Sequence, residues 1–237
     1  MAVVTGPDAQ AENRGESAAI RGVVRAVRQA TISTETALRA VAVPYREGDR
    51  FKQGDVLVSF DCRRQIAEHE AALAAHREAV LNYDSNVILD RYKAVGRNDV
   101  EISRARADKA KADISSLAPR LDECTFVAPF DGRVVEVGVR AHERTVPQRP
   151  FLSIIDDRHL EIEAIAPSSI VASLLPGVAF AFKLDELGGH RVSAEISSIA
   201  AVVDPVSKTV KVIGVIKDQR ADILAGMSGT AHFFTGK

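Results

Sequence analysis

The chain has 237 residues, room for one large domain or two to three small ones. Its 31 Lys and Arg stand against 32 Asp and Glu, a formal net charge of −1, with 5% aromatics and no Trp. That balance lacks the concentrated basic excess of a nucleic-acid binder and the ring surface of a base-stacking or sugar-binding platform. The longest apolar runs, such as Ala40–Val43, fall far short of the roughly 20 residues of a membrane span. The polar opening MAVVTGPDAQAENRGES carries no signal-peptide pattern and is expected to be a disordered lead-in over residues 1–17. Two compartments stay open at this level: the cytosol, or one reached through an export signal or anchor outside this sequence.

Four zones follow in chain order. Residues 18–61 are rich in Val, Ile and Thr, punctuated at Arg46–Asp49 and Lys52–Asp55, a pattern of β-strands and tight turns. Residues 62–124 turn abruptly to Ala, Arg, Glu, Asp and Lys, mostly good helix formers. Ile66, Leu73, Val80 and Val87 recur every seven residues, the spacing of a coiled-coil seam. Gly96 is placed as a left-handed C-cap, and Asn98 with Glu101 as a capping box for a second helix. Downstream, Ala107, Ala110, Ile114, Leu117 and Leu121 follow a three-four alternation. Two long helices joined by so short a turn run antiparallel, as a helical hairpin. Residues 125–156 return to strands. Residues 157–237 offer further strands at 160–166, 178–184, 191–203, 209–216 and 230–234 and a short helix after Pro167, the spacing of a small barrel or sandwich.

The first and third zones resemble each other. FKQGDVLVSFD (51–61) aligns without gaps on VPQRPFLSIID (146–156) at a constant offset of 95. Phe51 matches Val146, Leu57 matches Leu152 and Phe60 matches Ile155, while Gln53/Gln148 and Asp61/Asp156 are identical. Chance likeness of two β-segments is the bland alternative. Otherwise, two β-halves that cannot bury their apolar faces alone pair into one sandwich, from which the intervening hairpin projects.

REGDRFKQGDVLVSFD together with TFVAPFDGRV resembles the lipoyl/biotinyl-carrier fold, in which a modified Lys occupies the turn joining the halves. Here the joining segment begins SFDCRRQ, has no Lys at that place, and is replaced by helix. In that substitution the chain is similar to the membrane fusion proteins, or HlyD-like periplasmic adaptors. VDPVSKTVKVIGVI and ILAGMSGTAHF resemble the end of that family's β-barrel domain. The resemblance covers roughly residues 18–235 and implies a mixed β and α fold. A split lipoyl-like (barrel-sandwich hybrid) β-domain is expected from 18–61 and 125–156, with an antiparallel α-helical hairpin inserted at 62–124 and a small β-barrel over 157–237. It further implies a periplasmic location attached to the inner membrane. The partners implied are an inner-membrane transporter, an outer-membrane channel, and further copies of the chain in a homo-oligomeric ring, a hexamer by the family pattern. No nucleic acid, cofactor or metal is expected. Neither the family's anchor nor its membrane-proximal domain is expected within residues 1–237.

Family hairpin tips carry an Arg, an apolar residue, then Ser-x-x-Glu. Arg91, Val95 and Asn98–Glu101 fall in those places, with Gly96 and Arg97 between, and Asn98 stands where Ser is usual. The expected docking tip is therefore Arg91, Val95, Gly96, Arg97, Asn98 and Glu101. Cys62 and Cys124 lie at the two bases of the hairpin. Residues 62–95 as helix span about 50 Å. Residues 99–118 as helix and 119–124 extended span about 30 and 20 Å, Pro119 favouring an early helix end. The arms match, so a Cys62–Cys124 disulfide is expected, worth roughly 4 kcal/mol and favouring an oxidising compartment; two buried free thiols are the alternative.

The remaining candidates carry little chemistry. His69 and His76 share a helical face, as solvated or seam residues rather than metal ligands, and Met only at 1 and 227 gives no methionine copper site. No GxSxG, HExxH or phosphate loop occurs, and Gly226/Gly229 mark a turn before a strand. Gly48 and Gly54 are turn residues that need unusual backbone angles. The expected function is non-enzymatic: an adaptor linking an exporter to a channel for efflux or secretion. The alternatives are a biotinyl- or lipoyl-type carrier, which needs the missing Lys, and a non-export envelope scaffold.

Overall fold

A computed structural model describes residues 18–217 and 222–233; the expected lead-in at 1–17 and the last residue of the expected strand 230–234 lie outside them. In chain order the elements are β1 (Ala18–Ala26), β2 (Gln29–Ile32), β3 (Ala40–Ala42), β4 (Arg50–Phe51) and β5 (Val56–Phe60), then α1 (Arg63–Arg91) and α2 (Arg97–Asp122). After the helices come β6 (Thr125–Val127), β7 (Gly132–Val137), β8 (Leu152–Ile155) and β9 (Leu160–Pro167). A 3-10 turn (Ser168–Ser173) then precedes β10 (Ala179–Leu184), β11 (Arg191–Ile199), β12 (Thr209–Ile216) and β13 (Ser228–Phe233). Two compact units divide between Gln29 and Ala30 and again between Ile155 and Asp156. The inner unit, 30–155, is one continuous segment. The outer unit is built from the two flanking ones.

The inner unit holds two small sheets, ordered β2-β8-β7-β4 and β3-β5-β6. Each sheet mixes strands from before and after the helices, so neither half can form its sheet without the other. Phe51, Leu57, Val58, Phe60, Val134, Leu152 and Ile154 share a single core, with the Phe60 and Phe151 rings edge to face at 5.5 Å. This is the split lipoyl-like sandwich expected from the sequence. Gly48 and Gly54 have φ of 87° and 90°, the left-handed turn geometry that glycine adopts without steric cost. The aligned segments 51–61 and 146–156 are alike where it matters for packing at Leu57 and Leu152, which are both buried. They differ at Phe51, buried, against Val146, 55% exposed.

The outer unit is a closed six-stranded barrel, β1-β13-β10-β11-β12-β9. Residues 160–233 supply only five of its strands, which would leave β9 and β13 as open edges. β1 fills the gap, pairing Ile20 with Ala231 of β13 and Val24 with Ile162 of β9. Residues 18–26 therefore belong to the barrel rather than to the lipoyl-like half where the sequence reading put them. Both roles suit a Val/Ile-rich strand, and only the pairing partners distinguish them. Gly229 likewise lies within β13 rather than in the preceding turn. A Cβ there would fall against the Lys183 carbonyl oxygen and 2.7 Å from the Phe182 ring. The fully buried Phe182 needs that space, and Gly229→Ala is expected to cost about 1–3 kcal/mol as overpacking, measured by urea unfolding.

The identical aspartates of the repeat take equivalent places, each one residue past the end of a strand, Asp61 after β5 and Asp156 after β8. Both accept arginine side chains: Asp61 from Arg63 at 2.8 and 2.9 Å, Asp156 from Arg28 at 2.6 and 3.0 Å. Asp156 is 1% exposed. Burial alone would raise its pKa. Hydrogen bonds from Arg28, the Arg158 and His159 N–H groups and the His159 ring overcome that and hold it at about 2, below the ordinary 3.8. A carboxylate depressed in this way stabilises the fold above its unfolded pKa, and the contribution disappears as pH falls through the folded value. Asp156→Asn is expected to lose on the order of 2 kcal/mol at neutral pH and to flatten the stability loss between about pH 4 and 2, followed by urea unfolding across that range.

Candidate functional site

The hairpin begins where β5 and β6 pair, Val58 opposite Phe126 and Ser59 opposite Thr125. The Phe60 N–H donates to the Cys124 carbonyl at 2.8 Å, and Cys62, two residues further, forms a disulfide with Cys124, their Cα atoms 5.8 Å apart. An ordinary β-hairpin would turn here. Instead the chain leaves into α1 and returns through α2, helices of 29 and 26 residues, about 44 and 39 Å long.

α2 keeps its predicted face. Ala107 is buried and Ala110, Ile114, Leu117 and Leu121 are half-buried, facing α1. On α1 the predicted seam holds in its second half, where Val80 and Val87 are half-buried, and fails in its first, where Ile66 and Leu73 are 49% and 37% exposed. In that first half the half-buried positions are Gln65, Glu68, His69, Ala72, His76 and Ala79, so small and polar residues take the places that the heptad pattern gave to the largest apolar side chains. α2 runs through Pro119 to Asp122 instead of ending early. Proline takes its own N–H out of the ladder, and the Pro119 and Leu121 carbonyls still accept from Glu123 and Cys124.

At the far end α1 stops at Arg91 with Tyr92 as its C-cap. The Ala94 N–H reaches the Leu89 carbonyl at 2.9 Å and the Lys93 N–H reaches that of Asp90 at 2.8 Å, the two bonds of a Schellman motif. Lys93 takes the left-handed position, φ 57°. Gly96, expected there, has φ −82° and is instead the N-cap of α2. Its N–H donates to Asp99 Oδ2 at 3.2 Å and its carbonyl accepts from the Asp99 N–H at 2.9 Å. Asp99 thus plays the part assigned to Glu101, because the helix starts one residue before Asn98. Arg91, Gly96, Arg97, Asn98 and Glu101 are exposed and Val95 is half-buried, so the tip offers two cations, an amide and a carboxylate on a rigid turn.

Sequence reasoning missed the apolar residues beside the tip: Tyr92 at 81%, Ile88 at 53% and Ile102 at 42% exposed. Their only signal is that they stand off the seam. Among the described residues no group of three or more His, Cys, Asp or Glu could hold a metal ion, and no helix is long and apolar enough to cross a membrane.

A two-sheet sandwich interrupted by a helical hairpin and followed by a β-barrel is the fold of membrane fusion proteins. The structure superposes on the membrane fusion protein Spr0693 from Streptococcus pneumoniae R6 with a TM-score of 0.74 at 17% identity, over 93% of this chain and 100% of that one. A MacA–MexA chimeric protein carrying the Pseudomonas aeruginosa MexA α-hairpin domain gives a TM-score of 0.78 at 14% identity, over 93% of this chain and 82% of the chimera. No protein-family model matches the chain. In sequence it is 26% identical over 183 residues to an uncharacterized protein of Haemophilus influenzae, covering 77% of this chain and 48% of that one. It is 24% identical over 136 residues to the multidrug resistance protein MdtN of Escherichia coli K12, 57% of this chain and 40% of MdtN. The multidrug resistance protein MdtA of Salmonella typhimurium is 22% identical over 219 residues, 81% of this chain and 52% of MdtA. The chain is thus similar in fold to membrane fusion proteins and similar in sequence to the multidrug resistance proteins MdtN and MdtA. It spans about half the length of these relatives.

Reduction of the root disulfide, or Cys62→Ser with Cys124→Ser, is expected to lower stability by about 4 kcal/mol, the value for a closed loop of this length. Urea unfolding with and without reductant measures it; the double variant is then insensitive to reductant.

Proposed function

We propose that the chain is the periplasmic portion of a non-enzymatic adaptor that couples an inner-membrane exporter to an outer-membrane channel for efflux or secretion. The observation that carries this reading is the replacement of the β5–β6 turn by a projecting helical hairpin. A carrier domain needs a modifiable Lys at that turn, and the sequence enters the hairpin as Asp61–Cys62–Arg63–Arg64. The lipoyl-like unit 18–61 with 125–156, the hairpin 62–124 and the barrel 157–237 serve as the working divisions of such an adaptor, with β1 reassigned to the barrel. Copies assemble side by side in a ring, a hexamer, whose hairpins point away from the inner membrane. The tip residues Arg91, Val95, Gly96, Arg97, Asn98 and Glu101 then meet the channel. A helical end with exposed charges and no core of its own to serve is suited to that role.

Arg91→Asp combined with Asn98→Asp reverses one tip charge and adds another. In cells carrying the full-length protein, export is expected to fall at least tenfold with the protein level unchanged. Unimpaired export would end the docking assignment.

A further inference from the structure

At the root of the hairpin, the inner unit carries an open groove of about 810 Å³ where the first turn of α1 meets residues 36–39, Arg120, Glu123 and Arg144. Five arginines and three carboxylates line it, two positive charges in excess on a chain whose total is −1. The carboxylates do not share that excess evenly. Asp61 is held by Arg63 at 2.8 Å, and Glu68 by Arg64 at 2.7 Å and Arg120 at 3.9 Å. Arg39 and Arg144 remain. They face each other across an antiparallel bridge, and neither guanidinium has a hydrogen bond or ion pair within 4 Å among the described residues. Arg39 acts on Asp61 only through space. Like charges directly opposite on paired strands are destabilising, so the sandwich carries a cost here that no partner among the described residues offsets.

Two further observations concern the same groove. Gln65 lines it with a side-chain oxygen that is buried and without a hydrogen-bond partner. The first turn of α1 contains no acidic residue and Cys62 gives it no side-chain cap. Instead it carries Arg63 and Arg64, although the positive end of a helix favours anions over cations. The Arg63 N–H reaches only the Asp61 carboxylate, at 3.4 Å. An unpartnered amide and a pair of unpaired guanidiniums in one groove suit an anion with several acceptor oxygens, which arginine binds through two parallel N–H bonds.

We propose that this groove binds a multivalent oxyanion of the phosphate class, held between Arg39 and Arg144 at the first turn of α1. The phosphate is either free in solution or the headgroup of an anionic lipid; the chemistry is the same and the test separates them. The site lies at the opposite end of the helices from the tip, so its failure and the failure of channel docking are distinguishable.

Inorganic pyrophosphate is titrated calorimetrically into the purified chain at low ionic strength, and co-sedimentation is measured with phosphatidylglycerol and with phosphatidylcholine vesicles. Saturable binding of pyrophosphate, weakened at least tenfold in Arg39→Gln/Arg144→Gln, assigns a free phosphate. Binding only to phosphatidylglycerol vesicles, lost in the same variant, assigns the lipid headgroup. Without either anion, the double variant is expected to unfold at the same or higher urea concentration than the parent, because it removes a repulsion. Absence of binding in both arms, binding unchanged in the variant, or a variant less stable than the parent without anion would each overturn the proposal, the last by making the arginines structural.

Discussion

Two strands and one covalent bond fix everything the helices do. α1 has no buried residue and α2 has two, Ser103 and Ala107. A pair of helices with so little core of its own gains little from packing, and packing is the source of most helical stability in proteins. The pairing of β5 with β6, closed by Cys62–Cys124, supplies what the seam lacks. It sets the axial offset of the helices at their base and denies the unfolded chain the freedom of a long open loop. A polar seam of Gln65, His69 and His76 would not by itself choose one register over its neighbour. The root chooses it, and every position along the hairpin inherits that choice.

The same arrangement explains why the sandwich is split without being weakened. Each sheet takes strands from both sides of the helical insertion, and the helices leave and return through β5 and β6, neighbours in one of them. Arginine–aspartate pairs follow the last residue of β5 and of β8, at matching points of the internal repeat. They anchor the chain where it leaves each sheet, into α1 in one case and into the barrel unit in the other.

The gross plan was legible because it rests on strong, short-range signals. Alternating Val and Ile, Gly-Asp turns at 48–49 and 54–55, and an abrupt change to Ala, Glu and Arg at residue 62 each reflect a backbone preference that local sequence controls. The cysteine pair was legible for a similar reason, since an antiparallel hairpin brings its two bases together. What escaped depends on partners distant in sequence or on competing local solutions. β1 was assigned to the wrong unit because its apolar face fits either, and only β9 and β13 decide. The α1 seam was misread in its first half because Ile66 and Leu73 are large and regularly spaced, while the half-buried positions there are alanines and polar residues; Val80 and Val87 fall where the spacing put them. Gly96 was given the left-handed position that Lys93 occupies, because the helix ends three residues earlier than the composition suggests. At the tip, Asn98 and Glu101 share the polar character of Asp99, and only the start of the helix selects among them.

β1 and β13, the first and last strands described, are neighbours in the barrel, with the whole inner unit intervening between β1 and β9. On a ribosome or a translocon the chain emerges from its N-terminus. β1 then has neither neighbour until β9 appears some 130 residues later, and the barrel closes only with β13. The inner unit, being continuous, is complete well before that. Biogenesis is thus ordered from the middle outward: the hairpin-bearing sandwich is complete in the emerging chain before the barrel, which closes only once β13 is available. Contacts of such high sequence separation form slowly. An exposed β1 waiting for its partners is the stage at which this chain is most vulnerable to capture by other unpaired strands.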